Sequence, residues 1–81
     1  MFSWDASKAV ANLAKHGVSF EEAATVFSDP DALDWTDPDH SHRELRSKRL
    51  GTFSSGRILI VVYTVRNIDH GKETIRIISA R

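Results

Sequence analysis

The sequence predicts an α+β domain in which an N-terminal two-helix hairpin packs on one face of a three- to four-stranded antiparallel sheet. Three observations lead there. Apolar side chains recur at helical spacing twice within residues 6–27. Residues 57–65, RILIVVYTV, form a β-branched run that is apolar on both faces, as in a central strand. Helical segments come first and strands afterwards, an order that gathers the helices on one side of a meander and leaves the other side open to a ligand. With 81 residues the chain suffices for a single domain, residues 1–81, with a thin core.

The elements follow in chain order. FSW at 2–4 is a short apolar start with strand character. Asp5 is a good helix N-cap, Ala6, Ala9, Val10 and Leu13 make an apolar stripe, and Gly17 sits where a left-handed C-terminal cap belongs, so the first helix covers about 5–16. Ser19 and Glu22 have capping-box spacing, with Val18 and Ala23 in the staple positions. Phe20, Ala23, Ala24 and Phe27 form a second stripe that the DP at 29–30 ends, because a residue before proline avoids the helical region. Ala32, Leu33 and Trp35 suggest a short strand, and TDPD at 36–39 a turn. Residues 43–53, RELRSKRLGTF, read as a polar, half-exposed strand. The central run at 57–65 and ETIRIISA at 73–80, joined by the glycine-containing loop NIDHGK, make an antiparallel hairpin.

Composition narrows the function. The absence of cysteine excludes disulfides and thiolate metal sites. MFSWDASKAV carries an aspartate within its only mildly apolar stretch and makes a poor signal peptide. The longest apolar run, ILIVVY, is far short of the roughly 20 residues that span a bilayer. A soluble cytoplasmic protein is expected, with no membrane attachment. The formal net charge of zero hides a division. Residues 1–40 carry two cations against eight carboxylates, a net of −6, and residues 41–81 carry nine against three, a net of +6. The basic half attracts a polyanion if the fold gathers its charges on one face; otherwise the halves neutralise each other within the globule. The stretch DPDHSHRE at 37–44 admits a metal site, an acid–base patch or a polar connection. An H-x-H pair in a turn lacks a third well-placed ligand, so no metal or other cofactor is expected.

Several islands together are similar to the BrnT-type toxins of bacterial type II toxin–antitoxin systems: WD at 4–5, Lys8, Asn12, KHGVSFEEA at 15–23, Phe27, DP at 29–30, Asp37 with HS at 40–41, Glu44 and Arg46, Gly51, VVYT at 61–64 and IRIISAR at 75–81. The resemblance implies a RelE-like fold and a metal-independent endoribonuclease that cleaves RNA and slows translation. It also implies a BrnA-type antitoxin that neutralises the toxin and through which the complex binds DNA. Similar proteins usually continue after ISAR into a basic, arginine-rich helix, whereas this sequence stops at Arg81. A domain lacking that helix is therefore expected to fall short in RNA affinity and activity. A catalytically weak antitoxin-binding module and a generic nucleic-acid-binding domain are the alternatives.

RNA is cut without metal when its own 2′-OH attacks the adjacent phosphate, with a base, an acid and cations assisting. The resemblance points to lysine, arginine and tyrosine for this work. Arg76 and Tyr63, on the last two strands, are catalytic candidates; Arg76 lies between Ile75 and Ile77, so it points away from them. The plain alternatives are a solvated arginine and a core tyrosine with its hydroxyl at the rim. Arg46 and Lys48 alternate on the polar strand and share a face with Glu44, either as a phosphate-holding row or as ordinary edge-strand charge. His40 falls in one of the islands and is a candidate acid or base, the alternative being a hydrogen-bonded connection. His16, at the end of the first helix, reads first as a partner of the helix dipole. Lys8 and Lys15, two turns apart on the first helix, and Arg81 complete the RNA-binding candidates with Lys48.

Overall fold

A computed structural model describes residues 1–40, 44–53, 55–68 and 71–81, the side chains of His40 and Ile68 excepted. The chain runs β1 (Phe2–Ser3), α1 (Ala6–His16), α2 (Phe20–Ala24), a 3-10 turn (Thr25–Ser28), β2 (Leu33–Asp37), a second 3-10 turn (Pro38–His40), β3 (Arg46–Thr52), β4 (Ile58–Ile68) and β5 (Lys72–Ala80). The five strands form one sheet in the order β1-β5-β4-β3-β2. The protein is α+β, but the expected three- to four-stranded antiparallel sheet beneath a two-helix hairpin is overturned. The sheet is mixed, because β1 pairs parallel with β5 at Ile75 and Arg76. The Ile75 amide donates to the Met1 carbonyl at 2.9 Å and anchors the chain's start to the sheet.

The helical layer departs from expectation at α2. α1 begins and ends as its caps dictate: the Asp5 side chain accepts from the Lys8 amide, and Gly17 adopts φ 70°. The Ser19–Glu22 capping box also forms, but α2 stops after five residues and tightens into the 3-10 turn. The Asp29 carboxylate draws the chain out of the helix, accepting from the amides of Asp31 at 2.9 Å and of Thr52 on β3 at 2.8 Å. Both helices pack mainly on β5 rather than on each other.

Val18, Phe20, Ala23 and Val26 from the helical side meet Leu59, Val61, Ile77 and Ala80 from the sheet, with Phe53 completing the core. Gly51 must be glycine: a Cβ there would lie 2.8 Å from Val26 Cγ1 and 2.9 Å from Ala32 Cβ. β5 carries a bulge, since Val62 pairs with Ser79 but Tyr63 pairs with Ile77, leaving Ile78 as an extra residue. Asn12 on α1 braces the strand just past the bulge. Its Nδ2 donates to the carbonyls of Ala80 at 2.9 Å and Val18 at 3.1 Å, and its Oδ1 accepts from the Ala80 amide at 3.1 Å. No helix is long and apolar enough to cross a membrane among the described residues.

Candidate nucleic-acid interface

The strand register assigns side chains to the face away from the helices. Directly paired residues share a face, so Lys48 of β3, Val62 of β4 and Ser79 of β5 lie together, with Trp35 of β2 beside Lys48. One rung along, Asp37 is opposite Arg46, and Arg76 is opposite Thr64. One rung the other way come Leu33, Leu50 and Ile60, and the backbone of Ile60 pairs in turn with that of Arg81. The face therefore grades from aliphatic to cationic along the strand direction.

The cations gather around two adjoining hollows. Asp37, Arg46, Lys48, Val62, Ile78, Ser79 and Arg81 line the first, of about 190 Å³. That is smaller than the roughly 300–1,000 Å³ of a small-molecule pocket and suits a phosphate or sugar rather than a whole buried ligand. The second, of about 210 Å³, lies between α1 and β5 and is lined by Lys8, Ala11, Asn12, Lys15, His16, Ile78 and Ser79. Ile78 and Ser79 belong to both, so the bulge in β5 is the saddle between them. Lys48 Nζ is 3.5 Å from the Asp37 carboxylate, and both side chains are largely shielded from solvent.

Arg76 stands on the same face, at its more polar end. Glu44 connects it to Arg46: a bidentate bond from Arg66, at 2.8 and 2.7 Å, holds the Glu44 carboxyl below the usual carboxylate range, with the charges of Arg66, Arg76 and Arg46 adding to the effect. Both Glu44 oxygens accept from Arg66. Thr64 and Thr74, which share this end of the face, are buried, and their hydroxyls find no partner among the described residues.

Tyr63 lies on the opposite face, toward the helices. Its hydroxyl donates to Asp34 Oδ1 at 2.7 Å, and its ring meets Phe27 edge-on at 4.9 Å. Burial, reinforced by the Asp34 carboxylate, pushes the phenol from its ordinary 10.0 up to about 12. Arg49 ties the same cluster together: it donates to Asp34 at 2.6 Å and to the carbonyls of Val26 and Asp29 at 3.1 Å each, and lies over the Phe27 ring. The structure thus brings Arg46, Lys48 and Arg81 together, sets Lys8 and Lys15 in the adjoining hollow and Arg76 on the same face, and places Tyr63 elsewhere. The backbone of His40 closes the turn that follows Asp37, but its side chain, like Ser41 and His42 of the DPDHSHRE stretch, falls outside what is described. Among the described residues no group of three or more His, Asp or Glu side chains is placed to hold a metal ion.

This geometry coincides with a match to a family model over residues 4–81, described as the ribonuclease toxin BrnT of type II toxin–antitoxin systems. The chain belongs to the BrnT family. Its members are ribonuclease toxins, and a type II system pairs such a toxin with an antitoxin. No curated protein matches the chain. Two features of this BrnT domain escaped the sequence reading. Asp37 was placed in a turn, but it ends β2 and lines the first hollow. The Ile78–Ser79 saddle was missed although the sequence carries a signal for it: alternation along ETIRIISA breaks at the adjacent Ile77 and Ile78, where the bulge falls.

Proposed function

We propose that this BrnT chain cleaves RNA without a metal ion on the face of the sheet away from the helices. The observation that carries the reading is the meeting of Arg46, Lys48 and Arg81 around one hollow that continues, across Ile78 and Ser79, into another bearing Lys8 and Lys15. Two adjoining cationic hollows fit successive phosphates of one strand, which position the RNA without reading its sequence. The scissile phosphate lies toward Arg46 and Arg76. The 2′-oxygen of the preceding nucleotide attacks phosphorus, the bond to the 5′-oxygen breaks, and a 2′,3′-cyclic phosphate forms. The guanidinium groups stabilise the charge that builds on the equatorial oxygens, each such donor contributing about 3–4 kcal/mol in comparable oxyanion sites. His40 is the candidate for proton transfer, because Glu44 is held by Arg66. Tyr63 supports β4 from the other side and takes no part in the chemistry.

In this reading the cleavage of RNA slows translation in the cytoplasm. A BrnA-type antitoxin restrains the toxin, and the pair binds DNA through the antitoxin. The test is RNA cleavage in EDTA with analysis of the product ends. Cleavage that persists and leaves 2′,3′-cyclic or 3′-phosphates supports the mechanism. Cutting that requires a divalent ion overturns it, and antitoxin binding without any scission reduces the chain to a binding module.

A further inference from the structure

The aliphatic end of the same face is unaccounted for by RNA cleavage. Leu33 is 64% exposed and Ile58 70%, and they adjoin the half-buried Leu50 and Ile60. In register, Leu33 opposes Leu50 and Leu50 opposes Ile60; Ile58 lies two residues before Ile60 on the same side of β4. The next rung holds Trp35, 43% exposed, beside Lys48, and the one after it Asp37 and Arg46. An aliphatic patch thus runs directly into the cationic hollow, over about 13 Å for four strand residues. Exposed apolar patches of this kind on a small domain mark sites of association.

We infer that this graded face is the docking surface for the antitoxin, through a segment that is apolar at one end and carboxylate-bearing at the other. The inference rests on the proposed cleavage site only in placing occlusion there; the docking itself is independent of catalysis. Charge complementarity selects the occupant. Leu33, Leu50, Ile58 and Ile60 offer neither a π-face nor a charge to a nucleotide, so this end fits a protein. Arg46, Lys48 and Arg81 call for carboxylates on the part of that protein that reaches the hollow. One competing apolar surface is on α1, where Val10 and Leu13 are exposed and border a groove with Ala9, Ser19, Phe20 and Glu21. No cation lines that groove, and a partner seated there leaves the hollow open. A segment on the sheet face covers aliphatic and cationic groups together, so binding and neutralisation become one event.

The experiment uses the full chain and the antitoxin purified from the co-expressed pair. Calorimetric titration measures affinity for Leu33→Glu, Ile58→Glu, Arg46→Ala and a Val10→Glu/Leu13→Glu control, with thermal melts verifying that each variant is folded. RNA cleavage by each free variant is followed in parallel. Leu33→Glu and Ile58→Glu are expected to weaken antitoxin binding roughly tenfold or more, the loss typical of a hot-spot side chain, with cleavage within about twofold of the parent. Arg46→Ala lowers both, and the α1 control leaves affinity unchanged. Full affinity in both rung variants, or loss confined to the α1 control, overturns the surface. If the parent cuts no RNA while the rung variants still lose antitoxin, the cleavage reading fails and the docking surface stands.

Discussion

Replacing Asn12 with alanine removes a brace on which both hollows depend. Asn12 is only 7% exposed and serves three backbone groups: the carbonyls of Val18 and Ala80 and the amide of Ala80. Alanine leaves all three without a partner in a buried place. An orphaned buried polar group costs about 1–3 kcal/mol, the amide most, since carbonyls recover bonds more readily through water. Alanine's better helix propensity returns about 0.5 kcal/mol. The net expectation is a loss of about 3 kcal/mol, a large share of the roughly 4–12 kcal/mol that sustains a domain of this length. At about 4–8 °C per kcal/mol for small domains, the melting temperature falls by roughly 12–24 °C. Urea denaturation and thermal melts by circular dichroism measure both quantities. Asn12→Asp keeps the acceptor for the Ala80 amide but sets a charge beside two carbonyls, so its deficit should shrink as pH falls and the carboxylate is protonated. A loss below about 1 kcal/mol for Asn12→Ala would refute the reasoning, because it would mean that the three bonds exchange with water at little cost.

Three further outcomes follow from the same geometry. Gly51→Ala drives a Cβ to within 3 Å of Val26 and Ala32, and overpacking of this kind should cost about 1–3 kcal/mol in urea denaturation. Tyr63→Phe should lose about 1 kcal/mol with its bond to Asp34 while cleavage stays at the parent level; a large fall in cleavage would restore Tyr63 to the chemistry. The phenol's raised pKa works in the same direction: its contribution to stability is whole below the ordinary 10.0 and is lost as pH rises through about 12, and the phenylalanine variant should lack that alkaline step. RNA binding that engages Arg46, Lys48, Arg81, Lys8 and Lys15 should weaken with salt at a log–log slope of roughly −3 to −4 for a single strand. A slope near zero would mean that phosphates do not meet these cations.

What the sequence disclosed was mostly local chemistry. The caps at Asp5 and Gly17 and the Ser19–Glu22 box act within a few residues of chain, and the structure realises all three. What it concealed depends on partners far away in sequence. The strand character of FSW was legible, but two residues at the start of the chain cannot announce a parallel pairing with Ile75 and Arg76, and this is how the mixed sheet was missed. α2 reads as long because Phe20, Ala23, Ala24 and Phe27 keep helical spacing, yet Asp29 is claimed by the Thr52 amide and the last turn tightens to 3-10. Tyr63 sits in a strand that is apolar on both faces, so alternation gave its side chain no direction; the Asp34 carboxylate on the helical side decides it. The face that Arg76 takes was legible because its neighbour Ile77 is buried on the other side. The gathering of Arg46, Lys48 and Arg81 became visible only once the register of β3 and the bulge of β5 were known.

The most direct test of the account compares Arg46→Ala and Arg76→Ala with Arg57→Ala in an RNA cleavage assay containing EDTA. Arg57 lies over the Phe53 ring, outside both hollows, and serves as a charge-matched control. The account predicts that either of the first two variants falls by about a hundredfold or more while remaining folded, and that the control keeps the parent rate. Equal activity in all three would show that the cationic face of the sheet is not where RNA is cut.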